Sequence, residues 1–347
     1  MEKKNLDAIK ALIKQTEKKY GSGTLTFGST GFKTLPRTTS GSINLDMILG
    51  GGLPEGRIYE IYGPESCGKT SIALMMVSNM QKVGKVCAYV DVEQALDPSW
   101  MRKLGVNVDE LLLAQPECGE DALDLTEQLV NSGVVDFIVV DSVAALTPRA
   151  ELEGEMSDLN VGLQARLMSK AMRKLVSSTA KMKCSILFIN QLREKIGVMF
   201  GNPETTTGGK ALKYYASIRM DARKELIKQG TENVGQKIKI KTVKNKTYPP
   251  LKTAEVTLMY ETGFDVNREI LQKAVDFEII NKSGAWYSYG STKIGQGENA
   301  ALNFILSEPG LFDEIKAKVL ENVSKSTSVN NTVDDVDNIP EMDEDFD

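Results

Sequence analysis

The chain has 347 residues, 41% of them apolar and 26% charged, which is ordinary for a folded protein and excludes disorder throughout. At about 150 residues per domain it has room for two domains and a sizeable core. The net charge of −5 argues at first sight against a nucleic-acid partner, and the lack of any histidine excludes imidazole catalysis and the commonest zinc ligand.

No apolar run approaches the ~20 residues of a membrane span, and residues 1–7 lack the apolar core of a signal peptide. The four cysteines (Cys67, Cys87, Cys118, Cys184) form no C-x-x-C pair, so reduced thiols in the cytoplasm and no membrane partner are expected. The acidity is local: residues 333–347 carry eight acids and no base, and removing them leaves +3 on the preceding 332 residues.

In chain order, Leu6, Ile9, Ile13 and Tyr20 recur at helical spacing over residues 3–20, and Gly21-Ser22-Gly23 stops that helix. Thr24-Leu25-Thr26-Phe27 alternates and predicts a short strand. Residues 1–34 are thus expected to form an N-terminal arm of helix plus strand. Docking on a neighbouring subunit and packing on its own domain are both open at this level.

From about 35 to 265, the runs Arg57–Tyr62, Val86–Val90, Phe137–Val140 and Ile186–Ile189 predict buried strands. Helical patterns near 69–82, 119–131 and 160–182 lie between them. This alternation predicts an α/β core with a mostly parallel sheet and helices on both faces. Gln236–Val243 and Ala254–Tyr260 alternate and predict antiparallel strands at the sheet edge. Residues 266–322 read as a small α+β C-terminal domain, Ser324–Thr332 as a polar linker, and 323–347 as a disordered acidic tail.

Gly63-Pro64-Glu65-Ser66-Cys67-Gly68-Lys69-Thr70 fits G-x-x-x-x-G-K-[ST] between a predicted strand and a predicted helix, the context a phosphate-binding P-loop needs. Its N–H groups, with Ser71 next in line, can cradle phosphates. Lys69 neutralises them, and the Thr70 hydroxyl suits Mg2+. Asp141 ends an apolar strand, where a P-loop protein holds the metal through water, although aspartates often cap strands without any such role. Glu93, just past Val86–Val90, fits a carboxylate that polarises water; a solvated loop acid fits equally. Gln191, at the end of the Ser185–Asn190 run, is likewise open between a γ-phosphate sensor and an idle polar residue.

Taken together, these residues resemble the bacterial RecA recombinase family. The likeness extends from the N-terminal helix to about Asn322, with near-verbatim blocks at Gly63–Thr70, Ala95–Pro98, Val139–Pro148, Gly197–Gly209, Val243–Lys246 and Gly284–Tyr289. It implies a P-loop NTPase core of RecA type: a DNA-dependent ATPase using ATP and Mg2+, which forms helical homo-oligomeric filaments on single-stranded DNA and exchanges strands with double-stranded DNA. It also implies co-activation of self-cleavage in a LexA-type repressor.

The resemblance makes Glu93 the catalytic carboxylate and Gln191 the sensor. It places Asp97, Trp100 and Tyr260 at adenine, with Trp100 where a tyrosine is usual, and sends Lys244 and Lys246 to a neighbouring subunit's ATP. Two loops, about 153–162 and 193–210, are then expected to meet DNA. Val161 and Ile196 suit wedges between bases, Met199 and Phe200 form an apolar pair, and the Gly208 and Gly209 amides suit phosphate. Arg166, Ser169 and Arg173 share a helical face, and Lys210 adds a base. Repetition of a modest basic groove along a filament accommodates the weak charge of one body. The tail reads either as a competitor for DNA or as a solubility device.

Departures from the family pattern include Cys67 for a serine, which predicts ATPase activity sensitive to alkylation. Gln94, Glu194, Glu298 and Tyr214 replace residues that are usually histidine, methionine, lysine and phenylalanine. A ring-forming helicase or clock-type ATPase is the alternative within the same superfamily, but this chain lacks the extra large domain such proteins carry. A nucleotide-gated scaffold for repressor cleavage is the alternative outside motor function.

Overall fold

The computed structural model describes residues 3–21, 23–27, 35–155, 160, 162–194 and 204–328. The chain divides into two units at Pro36. In the first, α1 (Lys3–Tyr20) is amphipathic and ends on Lys18 and Lys19, cations that suit the negative end of its dipole. The predicted strand Thr24–Phe27 is not formed; those residues are bends and irregular chain, and the Thr24 hydroxyl donates to the Tyr20 and Gly21 carbonyls. A strand needs a ladder partner, and the described residues of this unit contain no second extended segment.

In the second unit, side-chain alternation sorts each strand onto two faces. β1 (Arg37–Thr38) and β2 (Leu53–Pro54) pair with each other and bracket α2 (Ile43–Leu49). The main sheet contains β3 (Ile58–Gly63), β4 (Cys87–Asp91), β5 (Leu112–Ala114), β6 (Phe137–Asp141) and β7 (Ser185–Glu194). It continues through β9 (Ile218–Gln229), β10 (Glu232–Asn245), β11 (Thr253–Met259) and β12 (Gly263–Phe264), while β8 (Glu204–Thr206) pairs with β7 alone. The order is β12-β11-β10-β9-β3-β7-β6-β4-β5, parallel from β9 through β5 and antiparallel from β9 to β12.

Tyr59, Ile61, Cys87, Tyr89, Phe137, Val139, Leu187 and Ile189 face one core, built with α3 (Lys69–Lys82). Ile58, Ala88, Val90, Ile138, Val140, Ile186 and Phe188 face the other, built with α5 (Gly119–Ser132) and α7 (Leu163–Met182). The short α4 (Pro98–Lys103) and α6 (Arg149–Leu152) follow strand ends β4 and β6. Thus the predicted α/β core is present, with helices on both faces of a mostly parallel sheet. Two features extend beyond the sequence reading: β7 continues past Ile189 through polar residues, and β9 pairs along its length with β10 although its second half is mostly exposed.

α8 (Ala211–Tyr215) leads into β9. Beyond the sheet lie α9 (Val266–Asp276), the antiparallel β13 (Asn281–Ser283), β14 (Trp286–Tyr289) and β15 (Thr292–Gln296), then α10 (Glu298–Ser307) and α11 (Leu311–Ser328) around a third core. The polar linker predicted from Ser324 and the disordered tail predicted from 323 are corrected at their start, because residues 323–328 complete α11; residues 329–347 of both lie outside the described residues. The Thr327 hydroxyl is buried and donates to the Val323 and Ser324 carbonyls, so a polar residue satisfies itself inside the helix. Among the described residues no helix is long and apolar enough to cross a membrane.

Candidate functional site

Four parallel strands deliver their carboxyl ends to one place. In the ladders Gln191 lies opposite Gly63, Asp141 opposite Ile189, and Asp91 opposite Asp141. Ligands of open α/β sheets bind at such carboxyl ends. A cleft of about 310 Å³ there is lined by Glu65, Ser66, Lys69, Thr70, Glu93, Asp141, Ser142, Ile189 and Gln191.

The loop from Gly63 to Thr70 joins β3 to α3. Pro64, Glu65 and Ser66 are exposed and Cys67 is fully buried. Gly68 has φ +88°, and a Cβ there would meet Ile238 Cδ1 at 2.4 Å, so both backbone and space require glycine. Lys69 is buried, and its Nζ donates to the Gly63 carbonyl at 3.1 Å and the Pro64 carbonyl at 2.7 Å. These are the loop's own oxygens, which an incoming anion can replace as partners.

Thr70 Oγ1 donates to Asp141 Oδ2 at 2.8 Å, and the Tyr89 hydroxyl donates to the same oxygen at 2.7 Å. Burial pushes the Asp141 carboxyl up to about 6, against the lowering effect of those hydrogen bonds. A hard cation beside it would restore the countercharge that burial removes. Among the described residues no cluster of three or more His, Cys, Asp or Glu could cage a metal. The Thr70 hydroxyl and the Asp141 carboxylate are hard oxygen donors, which suit an ion such as Mg2+ that keeps waters and borrows substrate oxygens.

Glu93 is exposed in the turn after β4. Asp91 shapes that turn, accepting from the Ala95 and Leu96 N–H groups at 3.3 and 3.4 Å and from Gln115 Nε2 at 3.1 Å. Glu93 Oε1 accepts from the Ser142 hydroxyl and, at 3.1 Å, from Gln191 Nε2. Expected base and expected sensor are thus in direct contact in this structure.

A second cleft, of about 320 Å³, continues along residues 66–71 between Trp100, Gln236, Leu258 and Tyr260. Trp100 Nε1 donates to Ser71 Oγ at 3.3 Å, which holds the indole beside the loop. Asp97 does not line this cleft; it caps α4, accepting from the Ser99 N–H at 2.9 Å and from the Ser99 hydroxyl at 2.8 and 2.6 Å.

Lys244 and Lys246 lie at the end of β10 and line neither cleft. Lys244 Nζ donates to the Lys213 and Tyr214 carbonyls at 2.9 and 2.8 Å, closing the end of α8. Burial, with Lys246 and Arg219 nearby, lowers its ammonium to about 8.

Of the expected DNA contacts, Val161, Ile196, Met199 and Phe200 lie outside the described residues. Arg166 and Arg173 are exposed on α7, with Ser169 half-buried between them. Gly209 and Lys210 are exposed, whereas Gly208 is buried. The surroundings of Cys67 argue against the expected alkylation sensitivity: the residue is fully buried, and burial raises the pKa of its thiol. Tyr89, Ser142 and Asn190 are polar members of this site that spacing alone does not single out; Tyr89 and Asn190 read as ordinary strand residues.

The family model for the RecA N-terminal domain matches residues 7–265, and that for the RecA C-terminal domain matches 268–324. Protein RecA of Clostridium novyi (strain NT) is 50% identical over 337 residues, 96% of each chain. Protein RecA of Delftia acidovorans is 52% identical over 320 residues, 91% of this chain and 87% of the relative. Protein RecA of Enterococcus hirae is 53% identical over 315 residues, 90% and 91% respectively.

Proposed function

The chain belongs to the RecA family of DNA-repair recombinases, and from that premise we propose how its own residues carry ATP-driven filament assembly and strand exchange. Family membership brings ATP hydrolysis dependent on DNA, binding to DNA and growth into filaments. The finer assignments below are our reading.

Residues 63–71 bind the ATP phosphates through backbone N–H groups, with the Lys69 ammonium exchanging its two loop carbonyls for phosphate oxygens. Thr70 and Asp141 hold Mg2+, which neutralises charge on the phosphate oxygens. Trp100 and Tyr260 flank the base; Asp97, which the resemblance also places at adenine, would have to leave its capping contacts with Ser99 to reach it. Glu93 orients the attacking water and accepts its proton. Lys244 and Lys246 act on ATP held by the adjacent subunit: they lie outside their own chain's phosphate cleft, and an arriving phosphate would stabilise the Lys244 ammonium against the burial that lowers it to about 8.

DNA runs along the loops at 153–162 and 193–210 and the cationic face of Arg166, Ser169, Arg173 and Lys210. Val161, Ile196, Met199, Phe200 and the glycine amides at 208–209 meet bases or phosphates. The ATP-bound filament also provokes self-cleavage of a LexA-type repressor, and the protein works in the cytoplasm.

The observation that carries this reading is the contact of Gln191 with Glu93 at the mouth of the Lys69–Thr70 cleft. Phosphate release with and without single-stranded DNA, alongside electron microscopy, tests it. Stimulated release and helical filaments are expected. Closed rings would point to a ring ATPase, and release indifferent to DNA would contradict the reading.

A further inference from the structure

Asn190 immediately precedes Gln191 on β7 and is fully buried. Its amide is shared among three segments. Nδ2 donates to Glu60 Oε1 at 2.9 Å and to the Thr207 carbonyl at 3.2 Å. Oδ1 accepts the Thr207 hydroxyl at 2.5 Å and the Gln191 N–H at 2.9 Å. Glu60 is itself buried and ion-paired with Arg219, so it can only accept, and it fixes which way the Asn190 amide points. Thr207 stands where the second loop returns to the fold. One side chain thereby ties the residue beside the sensor, the strand leading into the P-loop, and the loop's return end.

A second observation concerns the next residue. Gly208 is buried with φ +76°, and a Cβ there would lie 2.8 Å from Val143 Cγ1 and 3.2 Å from Met168 Cγ. Val143 follows Ser142, whose hydroxyl donates to Glu93, and Met168 lies on α7 between Arg166 and Ser169. The return end of the loop is therefore wedged between the turn that holds Glu93 and the helix that carries the cationic face.

We infer that Asn190 and Thr207 form the joint through which the nucleotide site sets the second DNA loop, acting as positioning residues for DNA-stimulated hydrolysis. This rests on the reading of Glu93, Gln191 and residues 193–210 given above. When Gln191 leaves Glu93 for a γ-phosphate, the backbone shift reaches Asn190. A buried amide cannot drop its partners without a penalty, so Thr207 follows it.

The test uses the full-length protein with Thr207→Val, which keeps shape and loses the hydroxyl, and Thr207→Ser, which keeps the hydroxyl. ATP turnover is measured with and without oligo-dT. Wild type and Thr207→Ser are expected to be stimulated alike, and Thr207→Val about tenfold less, as losing one buried hydrogen bond allows. The loss should fall on the DNA-stimulated kcat rather than on KM for ATP. Equal stimulation of Thr207→Val would overturn the joint alone, whereas a wild type indifferent to oligo-dT would overturn the underlying reading and the joint with it. Independently of any variant, amide exchange at residues 204–210 of wild type should change when a non-hydrolysable ATP analogue binds without DNA. No change there would also overturn the proposal.

Discussion

Gln191 Nε2 donates to Glu93 Oε1 at 3.1 Å, so a residue of β7 rests on the carboxylate that follows β4, two strands away in the sheet. The same oxygen also accepts from the Ser142 hydroxyl, so Oε1 is occupied twice over and is not free to take a water. Drawing Gln191 toward a phosphate would release it. Glu93→Ala should therefore retain ATP and DNA binding while steady-state phosphate release falls by about 10²-fold or more. Loss of binding in parallel with turnover would make Glu93 a structural residue instead.

Asp141 supplies a pH dependence. Its buried carboxyl holds its proton up to about 6, and the Mg2+ role proposed for it requires the deprotonated form. Mg2+-dependent nucleotide binding should weaken as pH falls through about 6, by up to tenfold per unit below it. Asp141→Asn should bind weakly at every pH and flatten that dependence, as titration calorimetry between pH 5 and 8 would record.

Glu269 connects the C-terminal lobe to the core. It is buried, accepts from the Ser42 hydroxyl at 2.7 Å, and its carboxyl is pushed up to about 7 by burial, with Asp46 adding to the rise. The folded state then binds more protons than the unfolded chain between the ordinary glutamate value and about 7, so stability falls as pH rises through that window. Glu269→Gln keeps the shape and an acceptor for Ser42. It should raise stability at pH 8 by roughly 1–3 kcal/mol and change it little at pH 4.5, as denaturant melts at the two values would reveal.

Cys67 replaces a P-loop serine, but the structure removes the chemical consequence. With its thiol fully buried, iodoacetamide should inactivate the native ATPase at least about a hundredfold more slowly than it alkylates free cysteine. In urea all four buried thiols should react together. Rapid inactivation of the native protein would mean that the loop opens far more readily than its packing suggests.

What could be read from the sequence was what local physics writes locally. Helix Lys69–Lys82 was legible because the glycine-rich loop marks its start and a helical pattern follows it. The central strands were legible because both of their faces are buried, which leaves apolar runs. The strand reading of Thr24–Phe27 failed because alternation does not create a pairing partner. The stretch from Ser324 misled because hydroxyls that bond back to their own helix, as those of Ser326 and Thr327 do, look like a linker. Lys69, Thr70, Asp141, Glu93 and Gln191 were legible from motif and strand ends, and the fold brings all five to one cleft. Tyr89, Ser142 and Asn190 were not, since their partners come from other strands and no sequence spacing encodes such contacts.

If ATP held by the P-loop drives strand exchange, the exchange depends on Lys69, whose ammonium stands within the loop. A joint-molecule assay with circular single-stranded DNA and homologous linear duplex, comparing wild type with Lys69→Ala, tests it most directly. ATP-dependent product is expected with wild type and none above background with Lys69→Ala. Undiminished exchange by Lys69→Ala would contradict it.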